Sequence, residues 1–273
     1  MDTSWNFAPI VLISLVGYLA VYIARWRTSR REGGPRAASG WRLAAWCGGV
    51  TALFVALISP VDILGEQLAS MHMVQHLLIA DIAAILLTLG LTRHILRPAT
   101  RRIHRIERAA GPFASPWFGV VAYVGVMWIW HIPAIYDAAV ENSAVHTLEH
   151  LSFAAAGLLY WWHLLSPIRS RLRLGGMGPV AYMASTKILV GFLGILLAFA
   201  PELLYTAYDH PGTRWGMTAH DDQQVAGLIM ALEQSIVMGI ALAWLFARML
   251  SESEEEELRA ERYADESRAP SST

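Results

Sequence analysis

Seven long apolar runs dominate this chain and restrict it to one kind of fold. They cover Phe7–Ile23, Leu43–Ile58, Met71–Leu91, Trp117–Ile135, His146–Leu165, Val180–Ala200 and Val225–Ala247. A helix rising about 1.5 Å per residue needs roughly 20 apolar residues to cross a hydrocarbon core about 30 Å thick. The first two runs are shorter and draw on flanking residues such as Trp5, Trp41 and Pro60. The runs are continuous rather than alternating, so helices are expected, with every backbone group paired internally. Only 16% of the 273 residues are charged, against about 25% in a soluble domain. Mean hydropathy is +0.40. The expected fold is all-α: a polytopic membrane protein whose seven transmembrane helices form one bundle over residues 1–248. Residues 249–273 are acidic and nearly free of large apolar side chains, which reads as a solvated cytoplasmic tail, helical in its first half. The opening "MDTSWNF" carries an acid rather than a basic leader region, so the first run reads as a retained anchor.

Arginine sets the expected orientation. The connections 24–42, 92–116 and 166–179 hold fifteen arginines, whereas 1–6, 59–70, 136–145 and 201–224 hold only Arg214. Positive residues stay on the cytoplasmic side, which puts the N-terminus outside and the C-terminus inside. Nine acids fall in the outer segments and would draw cations to that face. Trp128, Trp130, Trp161, Trp162 and Trp244 lie near run ends, where indole rings favour the interface.

Seven of the ten histidines fall on the outer side in this layout, and four of them form i,i+4 pairs: His72/His76 and His146/His150. Residues four apart share one helix face at about 6 Å, so two such helices side by side would offer four imidazoles. His131 ends the fourth run at the same level, and Met71, Met73 and Glu149 stand beside the paired histidines. Cys47, the single cysteine, belongs near the opposite end of the second run and reads as packing. Imidazole suits Cu, Zn, Fe and Ni, while thioether favours Cu(I). Histidine and methionine without cysteine therefore point to copper ahead of zinc, iron or haem. His94, His104 and His163 lie among cytoplasmic arginines and are assigned to surface or lipid-headgroup contact.

Three charges sit deeper in the runs: Asp81, Lys187 and Glu233. An unpaired charge at the bilayer centre costs at least about 2.5 kcal/mol, so such residues pair or line a cavity. A structural ion pair between Lys187 and one of the acids is one reading, and a polar route below the metal site is the other. Asp81, five residues beyond His76, is also placed to support the metal site from below.

Four ordered blocks, "MHMVQHLL" (71–78), "WHIPAIYDAAV" (130–140), "HTLEHLSFAAAGLLYWW" (146–162) and "DQQVAGLIM" (222–230), resemble the seven-span CtaG family of assembly factors for caa3-type cytochrome c oxidase. The likeness runs roughly from Ser59 to Ala247. It departs from the family pattern at "LLTLGLTRH", which lacks a proline, and at "ALEQS", where Glu233 stands in place of a Trp-Pro-Gly-type continuation. The resemblance implies a role in building the oxidase and in delivering copper to its catalytic subunit. It also implies His72, His76, His131, His146, His150, Asp222 and Gln223 as site residues. The implied partners are oxidase subunits, membrane lipid and a copper donor protein, with no nucleic acid. The implied setting is the bacterial cytoplasmic membrane, and the implied role is not enzymatic. Two alternatives use the same histidines: a membrane metalloenzyme such as a di-iron oxygenase, whose HxxHH-like boxes are absent here, and a b-type haem protein with axial imidazoles from facing helices.

Overall fold

The computed structural model describes residues 1–168, 174 and 176–268. Arg169, Arg171 and Arg173, used above for orientation, lie outside the described residues, as does the end of the tail. The described residues form twelve α-helices and no strand. These are α1 (Pro9–Ala37), α2 (Gly40–Ile58), α3 (Pro60–Gly65), α4 (Ala69–Leu77), α5 (Ala84–Gly90), α6 (Arg93–Leu96), α7 (Thr100–Ala110), α8 (Pro116–Trp130), α9 (Pro133–Glu141), α10 (Ser143–Leu165), α11 (Gly178–Ala198) and α12 (Ala219–Arg268).

Among the described residues, five helical units are long and apolar enough to cross a membrane: α1, α2, the continuous unit Ala69–Gly90, α11 and Ala219–Trp244 of α12. A sixth is added if Thr100–Ala114 and Pro116–Trp130, bent by 68°, count as one span. Helix α10 is 23 residues long, about 34 Å at the usual rise. Its hydropathy is lowered by His146, Glu149, His150 and His163, the residues that make it of chemical interest.

Two expected boundaries are corrected. The run Trp117–Ile135 is not one helix: α8 stops at Trp130 and α9 starts at Pro133. Pro133 has no N–H to donate and disfavours helical geometry at Ile132, so the chain turns there. The last helix passes through the first half of the tail, as expected, and continues further, to Arg268, because the Glu-, Leu-, Ala- and Arg-rich stretch is built of strong helix formers.

The unit Ala69–Gly90 is the most buried of the spans. Between α4 and α5 it passes through one π-helical turn, Leu78–Ala83, that carries Asp81. Helix α10 packs directly on this turn: a Cβ at Gly157 would overlap the Ala80 backbone carbonyl, so only glycine allows the approach. Gly194 and Gly227 bring α11 and α12 together in the same way.

The four segments expected to share one face do meet at one end of the bundle. The Asp2 amide donates to Gln67 Oε1 (2.9 Å), Tyr208 Oη to the Gly65 carbonyl (2.6 Å), and Arg214 Nη1 to the Gln67 carbonyl (2.6 Å). The Thr206 hydroxyl donates to Asp137 Oδ2 at 2.6 Å. At the other end Arg93 Nε donates to the Pro167 carbonyl (2.7 Å) and the Thr92 hydroxyl to the Ala37 carbonyl (2.8 Å).

Candidate metal centre

Helix α4 begins without a capping side chain of its own, since Leu68 occupies that position. Asp222 of α12 supplies the acceptor instead. Its carboxylate receives the amides of Ala69 (2.6 Å) and Ser70 (3.3 Å) and the Ser70 hydroxyl. A carboxylate at a helix N-terminus both satisfies free amides and opposes the positive end of the helix dipole. On the far side of α4, Gln75 Nε2 donates to Asp62 Oδ1 (2.6 Å) and to the Ala56 carbonyl (2.8 Å). Helix α10 is started by Asn142, whose Oδ1 accepts from the amides of Ala144 and Val145. Each pair of histidines therefore sits in the first two turns of a firmly capped helix.

The two pairs face each other. The rings of His72 and His146 are 5.5 Å apart, and those of His76 and His150 are 5.7 Å apart. Within each helix the paired rings are 4.2 and 4.1 Å apart. Glu149 lies between them, fully buried. Its Oε1 is 3.4 Å from His72 Nε2 and 3.5 Å from His76 Nε2. Two three-residue sets result, His72/His146/Glu149 and His76/His150/Glu149, each with one donor atom per residue inside 4.8 Å.

These donors fit a metal ion. His72 Nδ1, His76 Nδ1, His146 Nε2, His150 Nε2 and Glu149 Oε2 are buried without a hydrogen-bond partner among the described residues. His76 Nε2 is a sixth such atom; buried polar atoms are nearly always paired, so a cluster of orphans like this is suited to holding an ion. Two nitrogens about 2.0–2.1 Å from one ion stand about 3.3 Å apart at a tetrahedral angle. Closing from the observed spacing takes side-chain adjustment of about an ångström.

His131 stands apart from this cluster. Its Nδ1 contacts the Met127 carbonyl (2.6 Å) and its Nε2 faces Met73 Sδ (3.5 Å). Met73 thus points to His131 rather than to the paired imidazoles, while Met71 is half-buried and belongs to neither set. Met73, Met127, Met230, His76, His131 and Asp81 line a cavity of about 20 Å³, and Glu233 reaches the same space.

Asp81 is held by Tyr123 Oη (2.6 Å) and Trp161 Nε1 (2.9 Å). Trp161 is therefore a buried hydrogen-bond donor, not an interfacial anchor. Trp130 is likewise buried, with Nε1 donating to the Ser152 hydroxyl (2.7 Å). The expected ion pair of Lys187 with Asp81 or Glu233 is absent among the described residues: Lys187 is exposed on its helix, and both acids are buried. Gln223 ties down the loop before α12, accepting the Leu204 amide (2.7 Å) and donating to the Glu202 carbonyl (3.1 Å). Asp221 closes a turn with Thr218, accepting from the Thr218 hydroxyl (2.7 Å) and amide (3.0 Å).

A layer of tyrosines over the imidazoles was not anticipated. Tyr136 packs 5.0 Å from the His72 ring and stacks on Tyr205 at 3.8 Å. Tyr205 Oη donates to the His131 carbonyl (3.3 Å). The available signal was Tyr136 three residues after Pro133, on the inward side of a short proline-started helix.

A family model described as cytochrome c oxidase caa3 assembly factor matches residues 20–252. The chain is similar to an uncharacterized protein of Mycobacterium leprae (strain TN), 21% identical, over 96% of this chain and 42% of the relative. It is also similar to uncharacterized proteins of Mycobacterium bovis and Mycobacterium tuberculosis, each 23% identical over 96% of this chain and 42% of the relative. The chain thus spans less than half the length of these curated relatives. No solved structure matches it.

Proposed function

This chain belongs to the cytochrome c oxidase caa3 assembly factor family, and from that premise we propose that it handles copper for the oxidase catalytic subunit at the outer face of the bacterial cytoplasmic membrane. The supporting observation is the convergence of His72, His76, His146 and His150 on the buried Glu149 carboxylate. One carboxylate among neutral imidazoles offsets the charge of a monovalent ion, so copper enters as cargo without leaving a large uncompensated charge. His146 and His150 are only half-buried, which leaves an edge through which a donor protein delivers the ion and an oxidase subunit receives it. In this reading seven spans cross the membrane, with α10 the polar one, and the arginine asymmetry places the histidine end outside. The protein acts as a non-catalytic partner of oxidase subunits.

The test is elemental analysis of purified wild type beside His72→Ala/His76→Ala, together with oxidase copper content in a strain carrying His76→Ala. Copper bound by wild type, lost from the double variant, and depleted in the oxidase is the expected result. Equal copper in both proteins, with a fully loaded oxidase, refutes the proposal.

Glu149, shared by both donor sets, also suits a dinuclear iron enzyme. Iron-dependent oxygen uptake by the purified protein would favour that reading over copper transfer. A haem would need its macrocycle between two axial imidazoles, whereas the Glu149 carboxylate is packed among His72, His76 and His150, which favours an ion over a haem.

A further inference from the structure

Of the two methionines expected beside the paired histidines, Met73 instead joins Met127 and Met230 around a cavity below them. A carbonyl has no proton to give, so in the 2.6 Å contact between His131 and Met127 the ring Nδ1–H is the donor. In the neutral ring this leaves a bare lone pair on Nε2, and that lone pair faces Met73 Sδ at 3.5 Å. Two acceptors opposed at this distance do not hold each other; a cation between them satisfies both. Anchoring one ring nitrogen on a backbone carbonyl is also how metal-binding histidines are oriented. Donors about 2.0 and 2.3 Å from a common ion stand about 3.5 Å apart at a tetrahedral angle, which is the spacing found here. Met127 and Met230 complete the wall, and all four side chains are buried. The 20 Å³ space holds about one water-sized particle.

We propose that Met73, Met127, Met230 and His131 form a second, soft-donor site for a monovalent ion, Cu(I), joined to the imidazole–carboxylate cluster through His76. The inference deepens the copper reading and rests on it for the identity of the ion. Thioethers select Cu(I) over divalent ions. The nearby Asp81 and Glu233 carboxylates supply the negative charge that a buried cation requires. His76 touches both places, 3.5 Å from Glu149 on one side and lining the lower cavity on the other. An ion leaving the upper cluster therefore meets softer donors with no intervening gap.

The full-length protein, purified in detergent, is titrated with Ag(I) as the soft monovalent probe and separately with Cu(II). The proteins compared are wild type, Met73→Leu/Met230→Leu and His146→Ala/His150→Ala. Leucine conserves methionine's volume, so packing is kept. The methionine variant is expected to lose Ag(I) affinity by about tenfold or more while Cu(II) affinity holds, and the histidine variant to do the reverse. Wild type that fails to bind Ag(I), or Ag(I) affinity unchanged in the methionine variant, overturns the proposal. Loss of Ag(I) from the histidine variant alone also overturns it and leaves the upper cluster as the single site. Methionine-dependent Ag(I) binding without any Cu(II) binding supports the lower site while sinking the upper one. X-ray absorption on Ag(I)-loaded wild type gives a readout free of mutation: sulfur neighbours at bonding distance are expected, and only nitrogen and oxygen neighbours would overturn the site.

Discussion

Asp222 carries three hydrogen bonds to the start of α4, and Asp222→Ala removes all of them at once. The Ser70 hydroxyl is free to rotate toward another acceptor, but the amides of Ala69 and Ser70 are fixed by the helix and buried. Each buried amide left unpaired costs about 1–3 kcal/mol. Losing the negative charge at the helix N-terminus adds about 0.3–1 kcal/mol. The expected total is about 3–5 kcal/mol, which at about 2–4 °C per kcal/mol lowers the melting temperature by roughly 10 °C. Asp222→Asn keeps one acceptor oxygen and should lose about a third of that. The assay is a thermal melt of purified protein in detergent, run at one matched scan rate because unfolding of such proteins is commonly irreversible. Copper content is measured on the same samples below the transition. An Asp222→Ala melt within about 2 °C of wild type refutes the capping account, since that account requires several unpaired donors. Asp222→Asn that melts normally but has lost its copper refutes it differently, by making Asp222 a ligand.

Gly157→Ala should destabilise by about 1–3 kcal/mol through overpacking, because the neighbour it meets is the Ala80 backbone and not a movable side chain; a lowered melt with reduced copper is the expected pair of results. Lys187→Leu should leave stability within about 0.5 kcal/mol of wild type or raise it, since the ammonium is exposed and pairs with neither buried acid. A marked loss in urea or thermal unfolding would restore the ion pair. Asp81→Asn retains one acceptor for two buried donors, Tyr123 and Trp161, at a cost of about 1–3 kcal/mol; a shift in tryptophan fluorescence should accompany the lowered melt, and an unchanged spectrum would argue against the Trp161 contact.

What could be read in advance was set by local periodicity. Continuous apolar runs gave the helices, and i,i+4 spacing put His72 with His76 and His146 with His150 on shared faces, because both are properties of a single helix. The break after Trp130 was also written locally, in Ile132-Pro133, but an apolar run on both sides of the proline masked it. The unread features depend on rotation about a helix axis or on distant partners. Lys187 and Thr186 are neighbours in sequence, yet one is exposed and the other fully buried. Asp222 caps a helix that starts 153 residues away, which no spacing rule reaches. The π turn at Leu78–Ala83 has no proline or glycine inside it to announce it. Its partner Gly157 lies on another helix.

That rotational setting is also what lets α4 serve two donor sets. His72 and His76 share a face toward α10, while Met73, one residue on, is turned about 100° away and meets His131 at the end of α8. A modest rotation of α4 about its axis would draw the imidazoles from Glu149 and move Met73 off His131 together, so the helix must be held at both ends. Asp222 holds the top through the first two amides. Gln75 holds the back through Asp62 and the Ala56 carbonyl. Below, the π turn packs against Gly157 and sends Asp81 to Tyr123 and Trp161. None of these groups belongs to either donor set, although Asp81 borders the lower cavity. Their polar contacts cost conformational freedom in an apolar bundle, and the reason to retain them is register: π turns concentrate at functional sites, and ligands placed within about half an ångström of productive geometry need such support from rigid elements.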